Sequence, residues 1–385
     1  MQQLKLHRLT TVPLSFATLL KGQPRFMQQY YEVTIICSDK ELLEKVGEDE
    51  GVKTYPVELT RQITPLKDLK ALRKLYRYFK KEKPFIVHTN TPKASLLGML
   101  AAKFAKVPNR LYTVTGLRFE AERGLKRTIL IAMEKLTCWA ATKVIPEGQG
   151  VKKTLITNKI TNKPLQIIAN GNINGINTAY FSSALFSHEQ NEKLKNQLGI
   201  PIIAFVFCFV GRLVKDKGIN ELVQAFIEIN RTFLYAKLLL VGPFEQELDP
   251  LLPETEKAIR DHPDIFSVGF QTDVRPYLAI SDVFVFPSYR EGFPNVVMQA
   301  GAMELPCIVT DINGCNEIIE EGANGLIIPP KNKDQLQSKM QLLLEDSKLR
   351  NHLKQNAREM ISSRYEQKMV WEALLKEYNE LRTKS

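Results

Sequence analysis

Short apolar runs alternate along this chain with longer stretches whose apolar residues recur at helical spacing. The runs at residues 4–9, 33–37, 52–59, 85–88, 110–114, 143–146 and 165–168 read as strands of a first sheet. Those at 202–210, 237–241, 265–268, 283–286 and 308–310, with a short one after Asn324 and Gly325, read as a second. Between them lie helix patterns at 14–30, 65–83, 188–198, 219–229, 295–303 and 333–362, and others that end near Ala105 and Ala141. Strand and helix in alternation predict an α/β fold with parallel sheets. The run 202–210 holds almost no polar residue, which predicts burial on both faces. The segment 170–177, NGNINGIN, is rich in turn residues and reads as a hinge. Domain boundaries are therefore expected at 1–175 and 176–362. The tail 363–385, helical from Tyr365 to Lys384, sets Val370, Leu374, Leu375, Tyr378 and Leu381 on one face.

Charge divides the chain as the pattern does. The formal net charge is +11, but residues 1–178 hold 30 Lys and Arg against 14 Asp and Glu, a net of +16, and the rest stands at −5. Such asymmetry predicts an anionic partner for the first half. Segment 65–83 is apolar at Leu66, Leu69, Leu72, Tyr76 and Phe79 and basic at Lys67, Lys70, Arg73, Lys74, Arg77 and Lys80. That pattern suits a helix lying on anionic lipid. It suits equally a crossover helix with a solvated basic face. Aromatic residues are not interleaved with the charges and no nucleic-acid module is present, so nucleic acid is not expected as a partner. Cys37, Cys138, Cys208, Cys307 and Cys315 are scattered without a C-x-x-C, as in reduced thiols. The opening MQQLKLHRLTT lacks an apolar core for a secretory signal, and no run of about 18 apolar residues predicts a membrane span.

Two stretches carry candidate chemistry. In 283–306, VFVFPSYREGFPNVVMQAGAMELP, a strand runs into a Pro/Gly loop, then a helix, then another strand. Glu291 lies in that loop, at the C-terminal edge of the strand, which is the ligand edge of an open parallel sheet. Pro294 opens the helix, whose first N–H groups suit an anion such as phosphate. A carboxylate for hydroxyls beside a phosphate site suggests a sugar nucleotide. The second stretch is 211–218, GRLVKDKG, between a buried strand and a helix. Arg212 offers a forked donor and Lys217 a point charge to a diphosphate. A lysine-rich surface turn would also account for the spacing alone.

The first stretch resembles the E-x7-E region of retaining GT-B glycosyltransferases of the family 4 type. Glu291 matches the first acid, and Gln299 stands where the second belongs. The second stretch is similar to that family's G-R-L-x-x-x-K-G. The wording TVPLSF at 11–16 resembles the subgroup acting on lipid-linked sugars of bacterial surface polysaccharides. The resemblance implies two Rossmann-like domains facing a central cleft. The first would bind the acceptor and the second the donor, with the last helix returning to the first domain. Gly211, Arg212 and Lys217 would hold the donor diphosphate. Gly242, Gly269 and Phe270 would lie along the nucleobase. Glu291, Gly292, Phe293, Asn295 and Val296 would meet the donor sugar, and Gln299 the ribose. His88 would be catalytic at the cleft, and Lys93, Thr115, Gly116 and Arg118 would face the acceptor. Thr115 occupies a place where many relatives carry His.

The resemblance further implies a UDP-sugar donor and a polyprenyl-diphosphate-linked acceptor. The enzyme would sit peripherally on the cytoplasmic face of the inner membrane, through its basic first domain. No D-x-D occurs in the chain, so neither a metal nor a cofactor beyond the donor is expected. Two other readings stay open at this stage. One is a GT-B-shaped epimerase or hydrolase of UDP-sugars, which would need further cleft acids. The other is a non-catalytic sugar-nucleotide-binding subunit, suggested by Gln299 and Thr115.

Overall fold

The computed structural model describes residues 3–60, 64–245 and 249–383. The chain divides into two compact units: one runs through Gly175 and regains the chain at Gln367, and the other is Ile176–Glu366.

Unit 1 alternates β1 (Lys5–Leu9), α1 (Gln23–Gln28), β2 (Glu32–Cys37), α2 (Lys40–Glu50), β3 (Lys53–Pro56), α3 (Pro65–Glu82), β4 (Ile86–Thr89), α4 (Pro92–Phe104), β5 (Asn109–Val114), α5 (Gly124–Ala140), β6 (Lys143–Pro146) and α6 (Gln149–Thr157). The sheet is parallel with order β3-β2-β1-β4-β5-β6. Successive strand residues point to opposite faces, so each strand feeds two apolar layers. Ile36, Val87, Tyr112 and Val144 enter the layer under α3, α4 and α5. Ile35, Ile86, Leu111 and Ile145 enter the layer on the other face.

Four expectations for the elements are corrected. The predicted helix 14–30 is broken into a wide turn at Ser15–Leu19 and the short α1, because Gly22 takes φ +82 and Pro24 follows it. Residues 165–168 do not form a strand: Leu165 makes a single bridge to Val144, and Pro164 before it has no N–H to extend a ladder. On α3 the row Ala71, Leu75 and Phe79 faces the sheet, so Leu66 and Leu69 are turned out to solvent rather than into the core. The fourth concerns residues 202–204, which precede their strand instead of opening it; Ile203 is exposed. Helices α2 and α6 went unread in the sequence pattern.

Unit 2 runs α7 (His188–Leu198), β7 (Phe205–Val210), α8 (Ile219–Asn230), β8 (Ala236–Val241), α9 (Pro253–Asp261), β9 (Ile265–Ser267), α10 (Arg275–Ala279), β10 (Val283–Phe286), α11 (Asn295–Ala302), β11 (Cys307–Thr310), α12 (Cys315–Ile318), β12 (Gly325–Ile328), α13 (Lys333–Glu345) and α14 (Ser347–Tyr365). Its parallel sheet has order β12-β11-β10-β7-β8-β9. All six residues of β7, FVFCFV, are buried, as a strand covered on both faces requires. Helix α7 begins with a capping box between Ser187 and Gln190. The sheet grows one way from β7 through β8 and β9, and the other way through β10. The order therefore reverses between β7 and β10, where open α/β sheets bind ligands beyond their carboxyl ends.

The last helix, α15 (Gln367–Thr383), belongs to unit 1 and buries Val370, Leu374 and Tyr378. Lys384, where the helix pattern ended, lies outside the described residues. All five cysteines are buried thiols.

Candidate functional site

The loops after β7 and β10 meet at the point where the strand order reverses. Two glycines make this approach feasible. A Cβ on Gly218, φ +71, would lie 2.1 Å from the carbonyl oxygen of Pro287. One on Gly314, φ +74, would lie 2.5 Å from that of Gly292. Any side chain there would push the loops after β7, β10 and β11 apart. The contact is tied further by Tyr289 N–H donating to the Asp216 carbonyl at 2.8 Å. Arg290 Nε donates to the Asp216 carboxylate at 2.9 Å.

This packing brings Lys217 and Glu291 into a direct ion pair, with both side chains largely buried. Ser288 Oγ donates to the same carboxylate oxygen of Glu291 at 2.7 Å. Thr310 Oγ1, from β11, donates to the Ser288 carbonyl at 2.5 Å and fixes the turn. Lys217 Nζ stands 5.3 Å from the Phe286 ring centroid. The Tyr289 hydroxyl donates to Glu221 at 2.6 Å, and its acidity is suppressed by burial and then by that carboxylate. Burial, and next the charge of Glu291, keep the Cys315 thiol protonated. Ser288, Asp216, Thr310 and Cys315 escaped the sequence reading, since nothing in their spacing marks them.

Arg212 shares the β7 loop with Lys217, but its half-exposed guanidinium is ion-paired to Glu245 on the loop after β8. Each cation assigned to a diphosphate is therefore held by a carboxylate. Gly211, Gly242 and Gly269 end three adjacent strands. They are linked by Gly211 N–H to Val241 O at 2.9 Å and Gly242 N–H to Gly269 O at 2.8 Å. Phe270 is exposed next to them. Gln299 and Val296 are half-buried on α11. Phe293 is a core side chain, packed edge-on to Tyr365 at 5.5 Å, so only its backbone can meet a ligand. A hollow of about 580 Å³ near Phe244, Arg260 and Phe266 includes none of Arg212, Lys217 and Glu291.

Two of the unit 1 candidates are already engaged by the fold. His88 is buried with both ring nitrogens engaged, Nδ1 with the Tyr378 hydroxyl at 2.6 Å and Nε2 with Thr113 Oγ1 at 2.7 Å. Burial, and then the neighbouring Arg8, hold its imidazole neutral. It is a core histidine with no nitrogen left for a substrate. Lys93 is buried and paired with both carboxylate oxygens of Asp68, at 2.6 and 2.5 Å, which joins α4 to α3. Thr115 donates to the Asn90 carbonyl at 3.0 Å. Arg118 is exposed, at the mouth of a crevice that Leu96, Phe119, Leu130 and Met133 line. Among the described residues, no group of three or more His, Cys, Asp or Glu could hold a metal ion.

Residues 190–360 match the family described as "Glycosyl transferases group 1", and residues 19–147 match "Glycosyl transferase 4-like". The capsular polysaccharide biosynthesis glycosyltransferase CapM of Staphylococcus aureus is 34% identical over 98% of both chains. The chain belongs to the group 1 glycosyl transferases. A second relative of this glycosyltransferase is the UDP-Gal:alpha-D-GlcNAc-diphosphoundecaprenol alpha-1,3-galactosyltransferase of Escherichia coli. It is 29% identical over 86% of this chain and 85% of its own length. Among solved structures, Anabaena HepE in complex with UDP and glucose superposes with a TM-score of 0.83 at 18% identity, covering 98% of this chain and all of that one. The two parallel sheets are those of the GT-B fold.

Proposed function

We propose that this glycosyltransferase moves a sugar, with retention, from a UDP-sugar to a polyprenyl-diphosphate-linked saccharide in the synthesis of a surface polysaccharide. The observation that carries the donor half is the convergence of Lys217 and Glu291 at the reversal point of the unit 2 sheet. The acceptor half is supported by the relatives' names, one acting on a diphosphoundecaprenol-linked sugar and another serving capsule synthesis.

In this reading the donor diphosphate draws Arg212 from Glu245 and Lys217 partly from Glu291. As the bond from the anomeric carbon to the phosphate oxygen breaks, charge builds on the leaving diphosphate, and the two cations stabilise it there. An acceptor hydroxyl oxygen forms the new bond on the same face, and its proton passes to the departing phosphate oxygen. Glu291, relieved of part of its ion pair, accepts hydrogen bonds from donor sugar hydroxyls, helped by backbone N–H groups of Phe293, Asn295 and Val296. Gln299 takes a ribose hydroxyl through its amide, and Gly242, Gly269 and Phe270 flank the base. Thr115, Gly116 and Arg118 face the acceptor. With Arg212 and Lys217 neutralising the leaving diphosphate, the reaction would need neither metal nor cofactor. The basic surface of unit 1 holds the enzyme peripherally on the cytoplasmic face of the inner membrane.

The test is nucleotide release from a panel of nucleotide sugars, with and without a lipid-linked acceptor, and NMR of the product's anomeric centre. Release that depends on UDP-sugar and acceptor, with the anomeric configuration kept, is expected. Acceptor-independent turnover would mean an epimerase or hydrolase, and binding without turnover would mean a non-catalytic subunit.

A further inference from the structure

Helix α5 is covered by the fold on only part of its surface. Its fully buried residues are Thr137, Cys138 and Ala140, all in the last turn and a half. Leu125, Ile129, Ala132, Leu136 and Trp139 are exposed, four of them at 75%, 45%, 42% and 54% for Leu125, Ile129, Leu136 and Trp139. Their spacing of four, three, four and three residues puts them on one continuous stripe along the helix. An apolar stripe of this length facing water is unusual for a monomeric surface and marks a contact.

The charges around the stripe define the partner. Arg123, Lys126 and Lys135 are exposed along it. Lys103 Nζ sits 4.1 Å over the Trp139 ring at one end. Glu134, the helix's one acid, is turned inward, where it accepts from the Tyr112 hydroxyl at 2.7 Å. Glu122, before the helix, is tied to Lys126 at 2.6 Å. Apolar residues edged by cations, with a tryptophan beside a lysine, match the boundary between acyl chains and anionic headgroups. A second copy of the chain would bring the same cationic edge against itself, whereas an anionic headgroup layer complements Arg123 and Lys135.

We propose that the α5 stripe is the face by which this protein seats into an anionic lipid monolayer, with α3 adding long-range attraction. This deepens the lipid-linked acceptor reading and rests on it for its purpose, though not for its test. Seated so, the mouth of the crevice between α4 and α5, with Arg118, lies close to the headgroup plane. A lipid diphosphate could then be met without leaving the bilayer.

The test is flotation of the full chain with vesicles of phosphatidylglycerol and phosphatidylethanolamine, and with phosphatidylcholine alone. The parent is expected to float with the anionic vesicles. Ile129→Glu with Leu136→Glu should lower partitioning at least roughly tenfold, since each buried apolar side chain contributes about that much. Ile129→Gln with Leu136→Gln, which adds no charge, should lower it in the same direction. In a Trp371→Phe background, Trp139 emission should shift to the blue on vesicle addition. A parent that fails to float, variants that float as the parent does, or a parent dimer that Ile129→Glu dissolves would each overturn the proposal. Turnover of a short-chain, water-soluble acceptor should be the same in parent and variants. If the parent shows no such turnover, the transfer reading fails while the flotation result stands on its own.

Discussion

The ammonium of Lys217 is paired to the carboxylate of Glu291 across 74 residues of sequence. Among the described residues neither has another full charge as hydrogen-bond partner, and Ser288 supplies a further hydrogen bond to Glu291. In the proposed reaction two residues that neutralise each other must divide between a diphosphate and a sugar, one turning to each. Their contributions should therefore be coupled. Glu291→Gln and Lys217→Gln should each lower kcat about 100-fold or more, as loss of one preorganised electrostatic contact does. The double variant should cost much less than the product of the two. Each single change also strands a mostly buried charge, so a loss of roughly 1–3 kcal/mol in stability should accompany it. Steady-state kinetics on the folded fraction, with a denaturation curve for each variant, gives the coupling. Fully multiplicative effects would mean the two residues act on separate parts of the substrate.

In the proposed reaction Glu245 competes with the donor for Arg212. The pair is half-exposed on the arginine side, where such contacts are worth at most about 1 kcal/mol. Glu245→Ala should therefore lower the donor KM by no more than roughly fivefold, leaving kcat unchanged. Arg212→Ala should raise KM and lower kcat together. Donor titrations of both variants check this, and a Glu245→Ala enzyme that binds donor more weakly would make Glu245 a ligand instead.

Periodicity made the alternating α/β order and both ligand-edge loops legible, because buried strands and amphipathic helices leave their spacing in the chain. Gly211, Lys217 and Glu291 stood out because a strand end, a glycine turn and a charge coincide within a few residues. The partners of those charges did not stand out. Ser288, Glu245 and Asp68 are ordinary polar residues whose role comes from which loop or helix packs against theirs, and that is a tertiary fact. The internal partners of His88 and Lys93 were not legible for the same reason. A strand-end His and a helix-start Lys point toward a ligand edge until Tyr378 and Asp68, distant in sequence, take them up. On α3 the pattern showed one apolar row from Leu66 through Phe79, and only packing revealed Ala71, Leu75 and Phe79 as the buried one.

Two buried groups in unit 1 tilt stability with pH in opposite senses. Burial depresses His7 to about 4, with the nearby Glu82 opposing it. The unfolded chain then binds the extra proton first, so stability is full above about pH 6.5 and declines as pH falls toward 4. Burial raises Glu134 to about 7, against the hydrogen bond from Tyr112. The folded state binds that proton first, so its stability is full below about pH 4.5 and declines as pH rises toward 7. Each amounts to roughly 3 kcal/mol at 1.36 kcal/mol per pH unit. In the wild type the two slopes offset between about pH 4.5 and 6.5. Glu134→Gln should unmask the acid-side loss, and His7→Phe the loss toward neutrality. Urea unfolding at a series of pH values reads both slopes, and parallel profiles for the two variants would contradict the assignment.

The polar cluster around Tyr378 holds α15 to the unit 1 sheet, and its chemistry predicts a structural role. Arg8 is fully buried and donates to Gln23 at 2.5 Å, to Asn90 at 2.9 Å and to the Tyr378 hydroxyl at 3.1 Å, all neutral groups. Since that hydroxyl accepts from Arg8, its own proton goes to His88 Nδ1, which leaves the His88 proton on Nε2 to donate to Thr113. One oxygen thus orders an arginine, a histidine tautomer and the docking of the last helix. Tyr378→Phe keeps the ring and removes only that oxygen, leaving an Arg8 N–H and His88 Nδ1 unpaired in the core. The cost should be about 1–3 kcal/mol, or roughly 2–10 °C in the melting of a unit of this size. Turnover per folded molecule should stay within about twofold, because no substrate reaches a histidine with both nitrogens engaged. Calorimetry and kinetics on the same preparation decide it. An unchanged melting temperature with a large fall in kcat would return His88 to the reaction.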